Sequence, residues 1–232
     1  IVGFSYHKSL NARLFDSLGN VKLVENINQY LTDAPTVIIE SRSKPLCAVP
    51  PIRFGSMPRD GGGFILTERE KDELTAHEPL SKQWIHLYLG ADEFLNNKKR
   101  YCLWLVGASA DEIQDMPEVR RRVDACRKMR LSSSQEGTRR LADHPETFRE
   151  TYNPDTCLIV PMASSERRFY LPMGFVGPDT ISTNLNLIIQ DASLFHYGVL
   201  QSRFHNAWMR TVCGRLKSDY RYSAGVVYNN FV

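Results

Sequence analysis

Between Cys213 and Ser223 the chain reads C-G-R-L-K-S-D-Y-R-Y-S. Arg215, Lys217, Asp219 and Arg221 alternate with Leu216, Ser218, Tyr220 and Tyr222. A period of two places alternate side chains on opposite faces of an extended segment. One face would then carry four charges and the other apolar and aromatic groups. Two readings fit this pattern. The segment is a solvated edge strand whose charges discourage pairing with another chain, or its charged row meets a partner.

The remaining chain supplies the domain around that segment. Its 232 residues suffice for one large domain or two small ones, and 42% hydrophobic with 24% charged residues is a globular composition. No apolar run reaches the roughly 18 residues of a membrane span. The opening Ile1-Val2-Gly3-Phe4-Ser5 reads as a strand entered midway, so the chain is expected to be a piece of something longer. Five scattered cysteines (47, 102, 126, 157, 213) lack C-x-x-C spacing, and the six histidines form no H-x-x-x-H pair. That argues against a disulfide framework and a metal site, and for reduced thiols in the cytoplasm.

Strands are expected at residues 1–9, 37–40, 101–106, 156–160 and 185–189, and residues 84–89 read as a strand or a buried helix turn. The Pro-rich stretch from Ser43 to Pro58 reads as a linker or domain boundary. Thr67-x-x-Glu70 and Ser109-x-x-Glu112 are capping boxes. Met116, Val119, Val123 and Cys126 recur at 3-4-3 spacing and predict an amphipathic helix over 111–129 with its arginines outward. A second helix is expected from Asp191 as N-cap, with Leu200, Phe204, Trp208 and Val212 inward and Gly214 as the stop. Helices and strands alternate without a regular βαβ repeat, so the fold is expected to be mixed α and β.

The chemistry in this sequence is that of recognition rather than catalysis. Asp60-Gly61-Gly62-Gly63 lacks the G-K-[ST] of a phosphate loop and reads as a tight turn. Ser164 and Ser165 have no histidine in a nucleophile pattern, and His205 beside Trp208 reads as a packed histidine. From Met116 to Arg140, eight basic residues face three acidic ones, a local net of +5. That patch suits phosphates or is a solvated helix face. Lysine donates to guanine's major-groove acceptors and aspartate accepts from cytosine's amine, so Lys217 and Asp219 together could span one G·C pair. Arg120, Arg121, Arg127, Lys128, Arg167, Arg168 and Arg215 could hold phosphates and set register.

The runs S-S-E-R-R-F-Y-L-P-M-G-F-V-G-P-D-T (164–180), F-H-Y-G-V-L-Q-S-R-F-H-N-A-W-M-R-T-V-C-G-R (195–215) and K-S-D-Y-R-Y-S with Y-N-N-F (217–231) resemble the target-recognition region of MmeI-like enzymes. These are type IIL restriction–modification proteins and related adenine DNA methyltransferases. D-G-G-G-F-I-L (60–66) and E-F-L-N-N-K-K-R-Y-C-L-W-L (93–105) are similar to it too. The resemblance implies an α+β target-recognition domain over 51–232, preceded in 1–50 by the C-terminal tail of a class I methyltransferase domain. It implies double-stranded DNA and the catalytic domain of the same protein as partners. S-adenosylmethionine, and Mg2+ for cleavage, would belong to the parent enzyme and not to this piece, which lacks the catalytic motifs. A self-contained small enzyme or a protein-interaction module are the competing readings.

Carried over position by position, the resemblance makes Lys217 and Asp219 the readers of one base pair, with Ser218 and Arg221 as neighbouring recognition positions. Asn184 and Leu185 match a second recognition segment and Met162 a third, where an apolar side chain suits a thymine methyl. The implied pairing is Lys217 on G and Asp219 on its C, just 3′ of the methylated adenine. In a true strand Ser218 would point away from Lys217. Contact by all four residues therefore requires a loop or turn that enters the groove.

Overall fold

The computed structural model describes Tyr6 and residues 12–232; the strand expected over residues 1–9 lies outside these apart from Tyr6. In chain order the elements are β1 (Ala12–Phe15), β2 (Val21–Val24), β3 (Ile52–Phe54), β4 (Ile65–Leu66), α1 (Glu68–His77), β5 (Ile85–Leu89), α2 (Ala91–Asn96) and β6 (Tyr101–Leu103). Then follow α3 (Ala110–Gln114), α4 (Pro117–Leu131), α5 (Glu136–Arg140), β7 (Cys157–Pro161), β8 (Ala163–Ser164), β9 (Gly174–Val176), β10 (Thr180–Ser182) and β11 (Asn186–Gln190). The last are α6 (Leu194–Gln201), α7 (Arg203–Val212), β12 (Gly214–Leu216), β13 (Asp219–Arg221) and a π-helical turn over Ala224–Tyr228. β1 and β2 form a hairpin; the other sheets run β10-β5-β6-β4, β3-β11-β7-β9 and β12-β13-β8.

Two cores organise these elements. In the first, α4 and its N-terminal cap Met116 lay Met116, Val119, Val123 and Cys126 against Phe64, Leu66, Leu103, Leu105 and Phe148. Burial of such side chains stabilises by about 1.5–3 kcal/mol each. The second core uses both faces of the β7–β11 pair. Leu158, Val160, Leu187 and Ile189 face α6, α7, Tyr220 and Tyr222. Cys157, Ile159 and Ile188 face Leu89 and Phe94 on the other side. A sheet covered on both faces accounts for the unbroken apolar runs C-L-I-V and L-I-I.

The two cores join where β10 of one sheet hands over to β11 of the other. Fully buried Asn186 donates its side-chain amide to Leu89 O at 2.8 Å, and Thr183 N donates to the same carbonyl at 3.0 Å. Ser56 N donates to Ser182 O at 2.7 Å. Glycine is required at residue 55, because a Cβ there would run into the carbonyl oxygens of Ser182 and Thr183. The turn that crosses this junction carries Asn184 and Leu185.

Several expectations are corrected. The helix over 111–129 is two helices, α3 and α4, broken before Pro117, whose ring suits the first helical position. Of its arginines, Arg120, Arg121 and Arg127 are exposed, while Arg122 is half-buried and donates to Gly63 O at 2.7 Å; one residue beyond the expected end, an arginine is buried outright. Arg130 has no exposed surface and spends its guanidinium on five carbonyls: Arg59, Leu141, His144, Pro58 and Thr147, at 2.7–3.0 Å. Residues 37–40 form no strand and Ile38 is exposed. The Pro-rich stretch contains β3. Its first half, with the residues just before it (40–50), is bound to the C-terminal turn: Arg42 N donates to Gly225 O at 2.9 Å, Leu46 N to Asn229 O at 2.9 Å, and the Tyr228 hydroxyl to Pro50 O at 2.7 Å.

The second expected helix is also two, α6 and α7, with Ser193 and Ser202 as the caps rather than Asp191. Steps of four residues drift by about 40° each on a helix of 3.6 residues per turn, so Leu200 and Val212 could not share a face of one helix. In α7 the inward residues are His205, Asn206, Met209 and Val212, and Phe204 is 69% exposed. Buried His205 lies 2.7 Å by Nδ1 from Leu200 O and 3.1 Å by Nε2 from the Tyr222 hydroxyl. A carbonyl only accepts, so Nδ1 carries the proton and Nε2 accepts from Tyr222. Burial lowers the His205 pKa from 6.5 to about 4. Both capping boxes form, at Thr67 and Ser109.

Two outcomes follow for stability. Arg130→Met leaves its five carbonyl partners without a donor and should cost about 5 kcal/mol, near 1 kcal/mol per bond, with Arg130→Lys recovering part of it. Denaturant unfolding measures this, and a loss under about 1 kcal/mol contradicts the role given to Arg130. For His205, the unfolded chain binds a proton between pH 6.5 and about 4 that the folded chain refuses. Stability therefore falls as pH falls through that window, by about 3 kcal/mol from this group. His205→Asn should flatten the pH dependence of unfolding relative to wild type; equal slopes contradict it.

Candidate nucleic-acid interface

The stretch Cys213–Ser223 is a hairpin. β12 and β13 pair with Gly214 opposite Arg221, Arg215 opposite Tyr220 and Leu216 opposite Asp219, leaving Lys217 and Ser218 as the turn. Lys217 takes φ +57° while Ser218 keeps a negative φ. Two-residue hairpin turns that match the right-handed twist of the strands use a positive φ at the first position, where glycine, asparagine or aspartate is usual. A lysine there carries about 1–2 kcal/mol of backbone strain. So Lys217 and Ser218 form the tip, and Asp219 and Arg221 follow on an exposed face.

β13 continues the ladder on its other side. It pairs with β8, with Arg221 opposite Ala163 and Tyr220 opposite Ser164. Just beyond, Tyr222 N donates to Met162 O at 2.8 Å, and Met162 N donates to Leu185 O at 3.2 Å. Asn184 N is fixed to Ser56 O at 3.1 Å. The three separated segments named from the sequence, 162, 184–185 and 217–221, thus lie side by side in one hydrogen-bonded row. The side chains of Met162, Asn184, Leu185, Lys217, Ser218, Asp219 and Arg221 are exposed or half-buried.

The opposite face of the hairpin is anchored. Tyr220 is buried in the second core and Tyr222 is fully enclosed, with burial raising its pKa well above the ordinary value. Leu216, expected on this packing side with the tyrosines, stands instead opposite Asp219 on the outer face and is 61% exposed. Ala163 and Leu216 are the exposed members of the row that the sequence reading missed. The position of Leu216 follows from the two-residue turn, for which Lys-Ser gives none of the usual Asn-Gly or Asp-Gly signal, and that of Ala163 from the pairing of β8 with β13.

The basic residues divide by surroundings. Arg120, Arg127 and Lys128 stand exposed on α4 with no ion pair among the described residues. Arg121 is exposed but grips Glu118 with two bonds of 2.8 and 2.6 Å. Arg167 and Arg168 are exposed in the turn after β8, which is tied to α7 by Arg210 donating to the carbonyls of Arg168 and Phe169. Arg215 has partners within the chain: its Cζ lies 4.5 Å from the Tyr220 ring centre, Nη1 donates to Ser218 O at 2.9 Å, and Glu166 is 3.7 Å away.

The glycine run 61–63 forms the tight turn expected of it. The Asp60 carboxylate takes Gly62 N at 3.0 Å and Phe64 N at 2.5 Å, with Gly61 and Gly62 at positive φ. Among the described residues no group of His, Cys, Asp or Glu is placed to hold a metal ion, and no helix is long and apolar enough to cross a membrane. The five cysteines are free thiols, four of them buried.

Residues 33–232 match the family described as MmeI, target recognition domain. The chain is 43% identical over 211 residues to DNA methyltransferase A of Bacillus subtilis (strain 168), which covers 90% of this chain and 24% of that protein. It superposes with a TM-score of 0.87 at 42% identity on a solved structure described as "Structure of Type IIL restriction-modification enzyme MmeI in complex with DNA has implications for engineering of new specificities", covering 91% of this chain and 28% of that one. The chain thus spans about a quarter of the length of these relatives. On this match the chain belongs to the family of MmeI target recognition domains.

Proposed function

We propose that this chain is the sequence-reading domain of an S-adenosylmethionine-dependent adenine DNA methyltransferase of a restriction–modification system. The observation that carries the reading is the single row made by residues 162, 184–185 and 217–221, with Lys217 and Ser218 at its protruding tip. A two-stranded ribbon fits the major groove of B-DNA. In this reading the tip enters that groove, Lys217 donates to guanine and Asp219 accepts from the amine of its paired cytosine. Ser218 and Arg221 contact neighbouring positions, while Asn184, Leu185 and Met162 meet base edges farther along. Phosphates are held by Arg167 and Arg168 beside the row and by Arg120, Arg127 and Lys128 on α4, with the paired Arg121 in a lesser role.

Methyl transfer belongs, in this reading, to a catalytic domain of the same parent protein, which supplies S-adenosylmethionine; any cleavage with Mg2+ belongs there too. The recognition domain positions the target adenine against that domain, in the cytoplasm. Residues 40–50, hydrogen-bonded to the C-terminal turn, go with the recognition domain. The tail of the methyltransferase domain then ends before them rather than at residue 50.

Exchanging the charges tests this directly. Lys217→Glu combined with Asp219→Arg should turn the recognised G into C at one position of the methylated site, since each paired contact is worth about 1–3 kcal/mol of discrimination. Sequencing of methylated sites made by the parent enzyme reads the outcome. An unchanged site contradicts the assignment.

A further inference from the structure

We infer that Arg215 is a positioning residue that holds the Lys217–Ser218 turn in its reading shape, and not a phosphate contact. The inference rests on the reading of that turn as the base-reading tip. Arg215 is the cross-strand partner of Tyr220, and its guanidinium packs against that ring, Cζ to centre 4.5 Å. A second guanidinium, from Arg210 on α7, approaches the same ring at 6.0 Å. From this seat Nη1 of Arg215 donates to the carbonyl of Ser218 at 2.9 Å, and Nη2 lies 3.4 Å from Arg210 O. One side chain therefore ties the second residue of the turn to the end of α7.

The tie matters because the turn is not self-stabilised. Its first residue is a lysine at φ +57°, where glycine, asparagine or aspartate is usual. Without the bond to Ser218 O the tip loses its one side-chain brace among the described residues, and Lys217 and Asp219 lose their fixed separation. Base reading needs that separation, because a bidentate or paired contact depends on geometry.

The same surroundings make Arg215 a poor phosphate ligand. Two of its donor groups face carbonyls, one flank lies on an aromatic ring, and the carboxylate of Glu166 stands 3.7 Å away. A neighbouring carboxylate opposes the approach of a phosphate. Lysine at this position would keep the charge but not the flat, forked donor set that stacks and bonds together.

The test uses the whole 232-residue chain as wild type, Arg215→Lys and Arg215→Gln. Each is used to select from a duplex pool with a randomised centre, and each is titrated on one fixed duplex at several salt concentrations. Hydrogen exchange of the 217–219 amides is followed without DNA. The expected result is that both variants lose at least about tenfold of the selectivity for G·C at one position, exchange the turn amides faster and keep the wild-type slope of log affinity on log salt. Selection by Arg215→Lys equal to wild type overturns the inference. So does a fall of the slope by about 0.9 in Arg215→Gln with selection intact, the signature of one lost phosphate contact. Failure of the wild type to select any sequence counts against the proposed function instead. In that case unchanged exchange in both variants still overturns the brace, and faster exchange upholds it.

Discussion

The backbone of Met162 is hydrogen-bonded on both sides, to Leu185 O through its N–H and to Tyr222 N through its carbonyl. The single row proposed as the reading surface depends on those two bonds. They bring together segments that lie more than twenty residues apart in sequence and give each a fixed register. The first joins the 184–185 turn to the row, and the second extends the ladder that β13 makes with β8. Backbone bonds of this kind are modest individually, about 1 kcal/mol net. Their value here is geometric, because they make the spacing of exposed side chains a property of the fold.

That row is supported from beneath by rigid parts. Tyr220 and Tyr222 are sunk into the second core, and Tyr222 is further held by the neutral His205. Leu185 sits on the turn between β10 and β11, where Asn186 and Gly55 lock the two sheets together. The first core, through Arg130 and α4, fixes a second basic surface. The design separates labour: buried groups set positions, exposed groups are free to vary without disturbing the fold. The burial pattern of β13, exposed-buried-exposed, displays that separation.

Much of this was legible in the sequence, and the failures have physical causes. The inward face of α4 followed from 3-4-3 spacing, yet the same spacing continues from Cys126 to Arg130. Residue type hid what periodicity stated, because a buried arginine needs acceptors that lie far away in sequence, at Pro58, Arg59 and Thr147. In α7 a four-residue repeat of large apolar groups was the wrong period, and Ser202 divided the helix. The alternation of charge around residue 219 was real but broken by a turn with no glycine to announce it. The candidate readers were named by resemblance; their assembly into one row, and the outward face of Leu216, required the pairing register.

The central claim is that Lys217 meets the major-groove edge of one guanine. Replacing that guanine with 7-deazaguanine, in a duplex selected by the wild-type chain, removes the N7 acceptor and leaves the base pair intact. The expected result is a loss of about tenfold in affinity for the wild type and no loss for Lys217→Ala. Equal affinity of the wild type for both duplexes would contradict the claim.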